Sequence, residues 1–296
     1  MRHSARPGCQ TGVVASVVSV VIPVFNGMAH LPQAVESVLS QTHEELDVVL
    51  VDGGSTDGSR DWIHEVSDPR VRSMSMPPGI TAADNWTEAS LAAQGDYVKL
   101  LCQDDVLYPT SIADQLTDLT DHPNALFAVA QRDIVDNDGR MLYRRRGCDG
   151  LRTGLMDGHA ALRASYLHGT NVFGEPLAVL FRRPILDAAL RWNDERPFLL
   201  DLELYTRVLQ TGPIAVRKHS IGAFRVSSSS WSTRLVKQQT EQIRAWQEEL
   251  EEILLPRPSS LERTRARAMR HEQTLLRRAA YRVLKLRGAF HAHQDG

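Results

Sequence analysis

Cysteine is scarce in this chain of 296 residues: Cys9, Cys102 and Cys148 lie far apart with no CxxC spacing. That excludes a disulfide framework and a cysteine-based zinc site, and it points to a reducing compartment. Aromatic residues make up only 6% of the chain, and none are interleaved with basic ones as in a single-stranded nucleic-acid binder. Long apolar runs are also missing. The longest, Val13 to Phe25, is broken by Ser16, Ser19 and Pro23, too short to cross a bilayer. Arg2 and Arg6 precede it, as in a secretory signal, but the run leads straight into the first motif described below, so a cytoplasmic location is expected. Neither Gly-x-Gly-x-x-Gly nor the phosphate-loop pattern ending in Gly-Lys follows any strand-like segment, which counts against the dinucleotide and P-loop classes. No internal repeat or low-complexity stretch is present.

Charge of one sign is lacking only on average. Thirty-four Lys and Arg offset 36 Asp and Glu, for a net charge of −2. Between Pro256 and Gly288, however, ten basic residues face two acidic ones, so this segment carries +8 and the rest carries −10. The chain is 42% hydrophobic, enough for a folded core.

Val17 to Val24 is a β-branched run ended by Asn26-Gly27, as in a buried parallel strand. The spacing of Leu31, Ala34, Val35, Val38 and Leu39 predicts an amphipathic helix over Ala29 to Gln41. A strand over Leu46–Val51 stops at the turn-rich Asp52 to Ser59. A short helix at Trp62–Val66, a strand at Val71–Met76, a helix over Thr81–Gln94 and a strand at Tyr97–Leu101 follow. Strands alternating with helices give right-handed crossovers and a parallel sheet. Further on, a helix is expected at Ser111–Leu119, a strand at Leu126–Gln131, a turn at Asp136–Gly139, a mobile surface loop from Arg144 to Gly158, a strand at Leu177–Phe181 and a helix at Leu199–Leu209. After a polar break at Ser227–Ser230, a helix marked by Val236, Ile243, Trp246, Leu250 and Ile253 is broken at Pro256 and Pro258. An Arg-rich helix then runs to about Leu286. Trp62 and Trp86 read as core residues, and none of the eleven His residues has ligand spacing.

Ligands of an open parallel sheet bind at the carboxyl ends of its strands. Here those ends hold Asp52 and the pair Asp104-Asp105. Adjacent carboxylates repel, and a divalent cation shared with a diphosphate would relieve them. Each motif alone could equally be a turn or a helix cap. Together, however, the string VVSVVIPVFNG, then Ser40-Gln41-Thr42, DGGSTDG and GDYVKLLCQDDVLYP, in this order, resembles the family 2 glycosyltransferases over about Val17 to Val226.

The resemblance implies an α/β, GT-A-type doubly wound, mostly parallel sheet flanked by helices, with a C-terminal helical extension. It divides the chain into an N-terminal extension 1–16, a glycosyltransferase domain 17–232 (nucleotide-sugar half 17–106, acceptor half 107–232) and a basic helical tail 233–296. It also implies an inverting transfer of a hexosyl or deoxyhexosyl group from a nucleoside-diphosphate sugar to a hydroxyl, in cell-surface polysaccharide or glycoconjugate synthesis. Pro23, Val24, Phe25 and Asp52 would line the base. Asp104 would face the ribose or bridge toward the metal, Asp105 would bind Mn²⁺ or Mg²⁺ on the diphosphate, and Arg225 would contact that diphosphate. Asp201, in the segment from Leu199 to Arg207, would be the general base, with Glu203 turned away from it. Glu175 would touch the acceptor. The chain departs from the family pattern at Gly53, where a second acid is common, at Cys102, where an acid often precedes the pair, and at Ser227, where a His is frequent.

The rival readings are a non-catalytic sugar-binding module on the same fold and a nucleotidyltransferase. On the tail, Leu276, Ala280, Val283 and Leu284 share one face and Arg278, Arg282 and Lys285 another. This helix is expected to pack on the acidic body, with peripheral contact to an anionic membrane as the alternative. A nucleic-acid partner is not expected.

Overall fold

The computed structural model describes residues 16–226 and 238–286. The expectations for Arg2, Arg6, Val13, Ser227, the polar break, Val236 and the last ten residues lie outside the described part.

One ten-stranded sheet runs through the molecule, and its first half follows from the apolar runs. β1 (Val18–Val24), β2 (Leu46–Asp52), β3 (Val71–Ser75) and β4 (Tyr97–Leu100) are all parallel, in the order β3-β2-β1-β4. Every residue of β1 is buried, because helices cover both faces of the strand. Val18, Val20, Ile22 and Val24 pack with Leu31, Ala34, Val35 and Val38 of α1 (Leu31–Leu39). Val21, Val49 and Val51 point the other way, into the cluster holding Ala83 and Ala89 of α3 (Ala82–Leu91). The Thr81 side chain caps α3 by accepting from the Asp84 amide. α2 (Ser59–Glu65) follows the β2 loop.

The second half of the sheet is mixed. After β5 (Val106–Leu107) and α4 (Ser111–Asp121), β6 (Phe127–Val135) runs parallel to the twelve-residue β10 (Ile214–Arg225). Between β4 and β6 lies β9 (Val179–Arg182), antiparallel to both. The expected parallel character therefore belongs to the nucleotide half. The expected mobile loop, Arg144 to Gly158, instead forms β7 (Met141–Arg146) on β6 and β8 (Gly154–Met156) on β10. Its connection is pinned from below. Gln131 Nε2 donates to the Arg145 and Gly147 carbonyls, the Arg145 amide donates to Asp133, and the Cys148 amide donates to the Val172 carbonyl. Local composition read as loop because the pairing of β7 with β6 and of β8 with β10 is a sheet register that no local pattern encodes.

α5 (Gly158–His168), α6 (Arg183–Ala189), α7 (Leu200–Leu209), α8 (Gln239–Ile253) and α9 (Ser260–Leu286) complete the chain. α7 is anchored by Tyr205, whose ring lies within 6.0 Å of Phe127, Phe173 and Phe181. Trp246 of α8 donates to Thr206 of α7 at 2.9 Å. α9 lies against the body as expected, with Arg263–Glu251 at 2.9 Å and Arg163–Glu262 at 2.8 Å joining it to α8 and α5. No described helix is long and apolar enough to cross a membrane.

Candidate active site

The loops after β1 and β2 are stitched together by their own polar side chains. The Gly53 amide donates to the Val24 carbonyl at 2.7 Å, the Asn26 amide to Ser55 Oγ, the Gly27 amide to Ser59 Oγ and the Thr56 amide to Asn26 Oδ1. Asp52 is completely buried and receives the Gly54 and Ser55 amides and, at 2.8 Å, Arg60 Nε. Burial works against its charge, but the hydrogen bonds from Ser55, Arg60 and Gly54 outweigh it and hold the carboxyl below its usual range. Its carboxylate thus shapes the loop. Pro23 and Val24 are buried beside it, and Phe25 is 56% exposed at the strand end.

Gln103 ties this edge to the end of β4. Its amide accepts from the Phe25 N–H at 2.7 Å and donates to the Phe25 carbonyl at 3.0 Å. The departure at Gly53 also has a physical reason. A Cβ there would stand 2.9 Å from Asn85 Nδ2 and 3.1 Å from the Val24 carbonyl, so the side chain of Asn85 fills the space an acid would need.

Beyond the end of β4, Asp104 faces a cavity of about 670 Å³ that Glu175 and Asp201 also line. Asp105 lies behind it, wholly buried. One of its oxygens accepts from the Arg225 amide at 3.0 Å, and Oδ2 has no hydrogen-bond partner. Burial raises both carboxyls, and for Asp105 the charge of Asp104 adds to the effect. Among the described residues, no group of three or more His, Cys, Asp or Glu is placed to hold a metal by itself.

Arg225, expected at a diphosphate, is used differently. Its guanidinium is buried and donates to the Asp104, Asp136 and Asn137 carbonyls and to Gln33 Oε1. It thereby clamps the β6–β7 turn to the acid pair, behind the cavity wall. The contact spans 120 residues, and such a partner is invisible in a local motif.

Asp201 sits in the first turn of α7. Asn171 Nδ2 donates to its Oδ2 at 2.9 Å, and Asn171 is itself fixed by the Phe173 and Gly174 amides. Burial, with Glu175 as the second cause, pushes the Asp201 carboxyl up to about 7. The helix terminus is therefore not the controlling influence. Glu203 points elsewhere and pairs with Arg196. Glu175 is gripped by Arg132 through two hydrogen bonds of 2.5 and 2.9 Å, a bidentate pair. Cys102, on the same wall, has its thiol pushed up by burial and then by Asp105, Asp104, Asp201 and Glu175. All four carboxyls are near enough to act on this one thiol.

Trp86, read as core, packs against the core cluster and also lines the cavity, edge-on to Trp192 at 5.1 Å. Gln273, Leu276 and Arg277 of α9 line it too. The Asn171-x-x-Gly174 spacing is a turn signal that could have marked Asn171; the α9 contacts had no such signal.

The family model for glycosyl transferase family 2 matches residues 19–188, and the chain belongs to that family. An uncharacterised protein of Mycobacterium tuberculosis is 25% identical over 78% of this chain and 75% of its own length. An uncharacterised glycosyltransferase of Rickettsia bellii is 28% identical over 54% of this chain, but that match spans only 25% of the Rickettsia protein. In structure, residues 1–349 of S. aureus TarS in complex with UDP-GlcNAc superpose with a TM-score of 0.60 at 15% identity, covering 80% of this chain and 71% of that fragment. The mannosyltransferase PcManGT of Pyrobaculum calidifontis, in complex with GDP-Man and Mn²⁺, gives 0.56 at 14% identity, covering 93% and 81%. The GT-A fold expected from the motifs is the fold observed, and the chain is a glycosyltransferase by family.

Proposed function

We propose that the protein moves a hexosyl or deoxyhexosyl group from a nucleoside-diphosphate sugar to a hydroxyl, with inversion at the anomeric carbon. The observation that carries this reading is Asp201, an acid with a pKa of about 7 on the wall of the cavity that also holds Asp104. The donor class is the one bound in the TarS and PcManGT structures. Asp201 takes the acceptor hydroxyl proton while the oxygen attacks the anomeric carbon. The bond to the nucleoside diphosphate breaks on the opposite face. Glu175 is engaged by Arg132, so the reading gives the chain one base and no covalent nucleophile, as a single displacement requires.

The orphaned Oδ2 of Asp105, beside Asp104, fits a divalent cation such as Mn²⁺ or Mg²⁺ that completes its shell with donor phosphate oxygens. When bound, that cation would neutralise charge on the departing diphosphate. Pro23, Val24, Phe25, Asp52 and Asp104 then form the nucleotide side, with Asp52 acting through its loop. Glu175 borders the acceptor, a glycan, a lipid-linked sugar or a small molecule.

Domain limits of 17–232 for the transferase unit and 233–296 for the tail belong to the same proposal. So do a cytoplasmic location, a role in cell-surface polysaccharide or glycoconjugate synthesis, and a peripheral membrane contact through α9. That helix exposes Leu261 and Leu275 among Arg265, Arg278 and Arg282. The test is release of nucleoside diphosphate and transfer of sugar, with and without a chelator, in the wild type, Asp105→Ala and Asp201→Asn. Loss of transfer in each is expected; full activity in either variant removes that residue's role.

A further inference from the structure

We propose that Arg132 is a positioning residue of the transfer: seated between two glycines, it holds Glu175 at the acceptor side and fixes the short loop whose Asn171 orients the base Asp201. The inference rests on the glycosyl-transfer reading of the cavity and adds a residue that no motif marked. Arg132 lies on β6, is buried, and brings its side chain to the cavity wall that Glu175 and Asp201 share. Its Nε and Nη2 each donate to one oxygen of Glu175, at 2.5 and 2.9 Å. A lysine has no such fork, so it would supply the charge without fixing the orientation of the carboxylate.

Glycine makes the seat. A Cβ on Gly147 would stand 2.5 Å from Arg132 Nη1, and one on Gly174 would stand 3.1 Å from its Cζ and Nε. Both glycines have positive φ, +94° and +89°, so the turn and the guanidinium alike need the missing side chain. Gly147 belongs to the β7–β8 connection, where the next amide, that of Cys148, donates to the Val172 carbonyl at 2.7 Å. Gly174 closes the turn begun by Asn171, whose Nδ2 donates to the Gly174 carbonyl at 3.0 Å and to Asp201 Oδ2 at 2.9 Å. One guanidinium therefore grips Glu175 and packs against both ends of this arrangement. A loop free to turn would swing Glu175 out of the cavity wall and the Asn171 amide away from the base. A buried ion pair adds little net stability compared with apolar residues of the same volume, so its place on the wall points to the reaction.

The pair also acts on the base through charge. After burial, Glu175 is the next influence raising the Asp201 carboxyl, and Arg132 opposes it more weakly. Asp104, Arg146, Asp149, His168 and Arg277 share the cavity with Asp201, and Cys102 and Tyr205 lie close enough to feel its charge. All of these are common to the variants compared below.

The experiment follows Asp201 by carbon-13 NMR of carboxyl-labelled aspartate from pH 5 to 9, its signal assigned by its loss in Asp201→Asn. The titration midpoint is expected to fall by at least about half a pH unit in Glu175→Gln and to rise in Arg132→Gln. Arg132→Gln leaves a buried carboxylate unpaired, which costs stability. The double variant Arg132→Gln/Glu175→Gln removes both charges, and its midpoint is expected between those of Glu175→Gln and the wild type. Arg132→Lys keeps the midpoint but loses at least about tenfold in the rate of UDP or GDP release from UDP-GlcNAc or GDP-mannose with Mn²⁺. Its affinity for UDP and GDP, read by calorimetry, stays within twofold of wild type. Midpoints indifferent to these substitutions, or moving the same way in Glu175→Gln and Arg132→Gln, overturn the proposal, as does full turnover in Arg132→Lys. Nucleotide affinity lost together with turnover also overturns it, by making Arg132 a residue of general stability. Failure of the underlying reading shows separately, as no nucleoside diphosphate released from any sugar donor by the wild type, while the midpoints still report what the pair does to Asp201.

Discussion

A carboxyl raised from 3.8 to about 7 is well matched to taking a proton at neutral pH, and it costs stability when charged. Its folded pKa lies above its unfolded one. The stability that its neutral form contributes is complete below pH 3.8 and is lost as pH rises through 7. Asp201→Asn is therefore expected to act in two opposite directions. Transfer falls by about 10²- to 10⁴-fold, the usual weight of a general base, while Tm at pH 8 rises by a few degrees because the buried charge is gone. Wild-type kcat/KM should climb with pH to a plateau above about 7. Loss of transfer with a lowered Tm at pH 8 would mark Asp201 as structural. At Gly53 the contrary holds. Gly53→Asp drives a side chain into Asn85 and the Val24 carbonyl, so denaturant melts should show a loss of about 1–3 kcal/mol and no gain in nucleotide affinity. What reads as a missing contact in the motif is space already filled.

Among the elements, legibility followed distance along the chain. β1, its Asn26 turn and the Asp52 loop were readable because their structure depends on alternating burial and on Asx and Ser side chains bonding to amides within about 30 residues. The helix of Asp201 was legible from its apolar spacing, and the acid itself was singled out by the family resemblance. Arg225, the strand β7 and the α9 wall were not, since each is defined by partners 88 to 192 residues away, or by a sheet register that no local pattern encodes. α9 is where this matters most for function, because a tail that looked like an appendage by charge lines the cavity. Its seat can be loosened at Gly169, which lies between the cavity-lining His168 and Thr170. Gly169 has φ of +59° and lies against Arg270, so Gly169→Ala strains the α5 cap and pushes α9 outward. Expected is a rise of at least about fivefold in KM for acceptor, with nucleotide affinity, read by calorimetry, within twofold of wild type. Equal losses in both would mean that α9 serves overall stability and not the acceptor side.

Across the whole molecule, the two halves of the sheet meet at β4 and β9, and a buried lysine lies at that junction. Lys99 is inaccessible to solvent, and its Nζ donates to the Leu177 and Val179 carbonyls at 2.6 and 3.0 Å. Burial lowers its pKa from 10.5 to about 7. Between those values the unfolded chain holds the proton more firmly than the folded one, so Lys99 makes stability rise with pH from about 7 toward 10.5. Asp201 makes stability fall between 3.8 and 7. These two contributions have opposite sign and meet near neutrality; the raised Asp104, Asp105 and Cys102 add falling slopes of their own, so each group is read from the difference between the wild type and its own variant. Thermal melts from pH 5 to 9.5 test this, with Lys99→Met expected to flatten the rise above 7 and Asp201→Asn to reduce the fall below it. Slopes indifferent to both substitutions would show that neither buried group contributes to the balance. The placement of these groups makes the expectation specific. The lysine binds the nucleotide half to the acceptor half through backbone carbonyls, and the aspartate faces the cavity between them, so both the joint and the base pass from one protonation state to the other around pH 7.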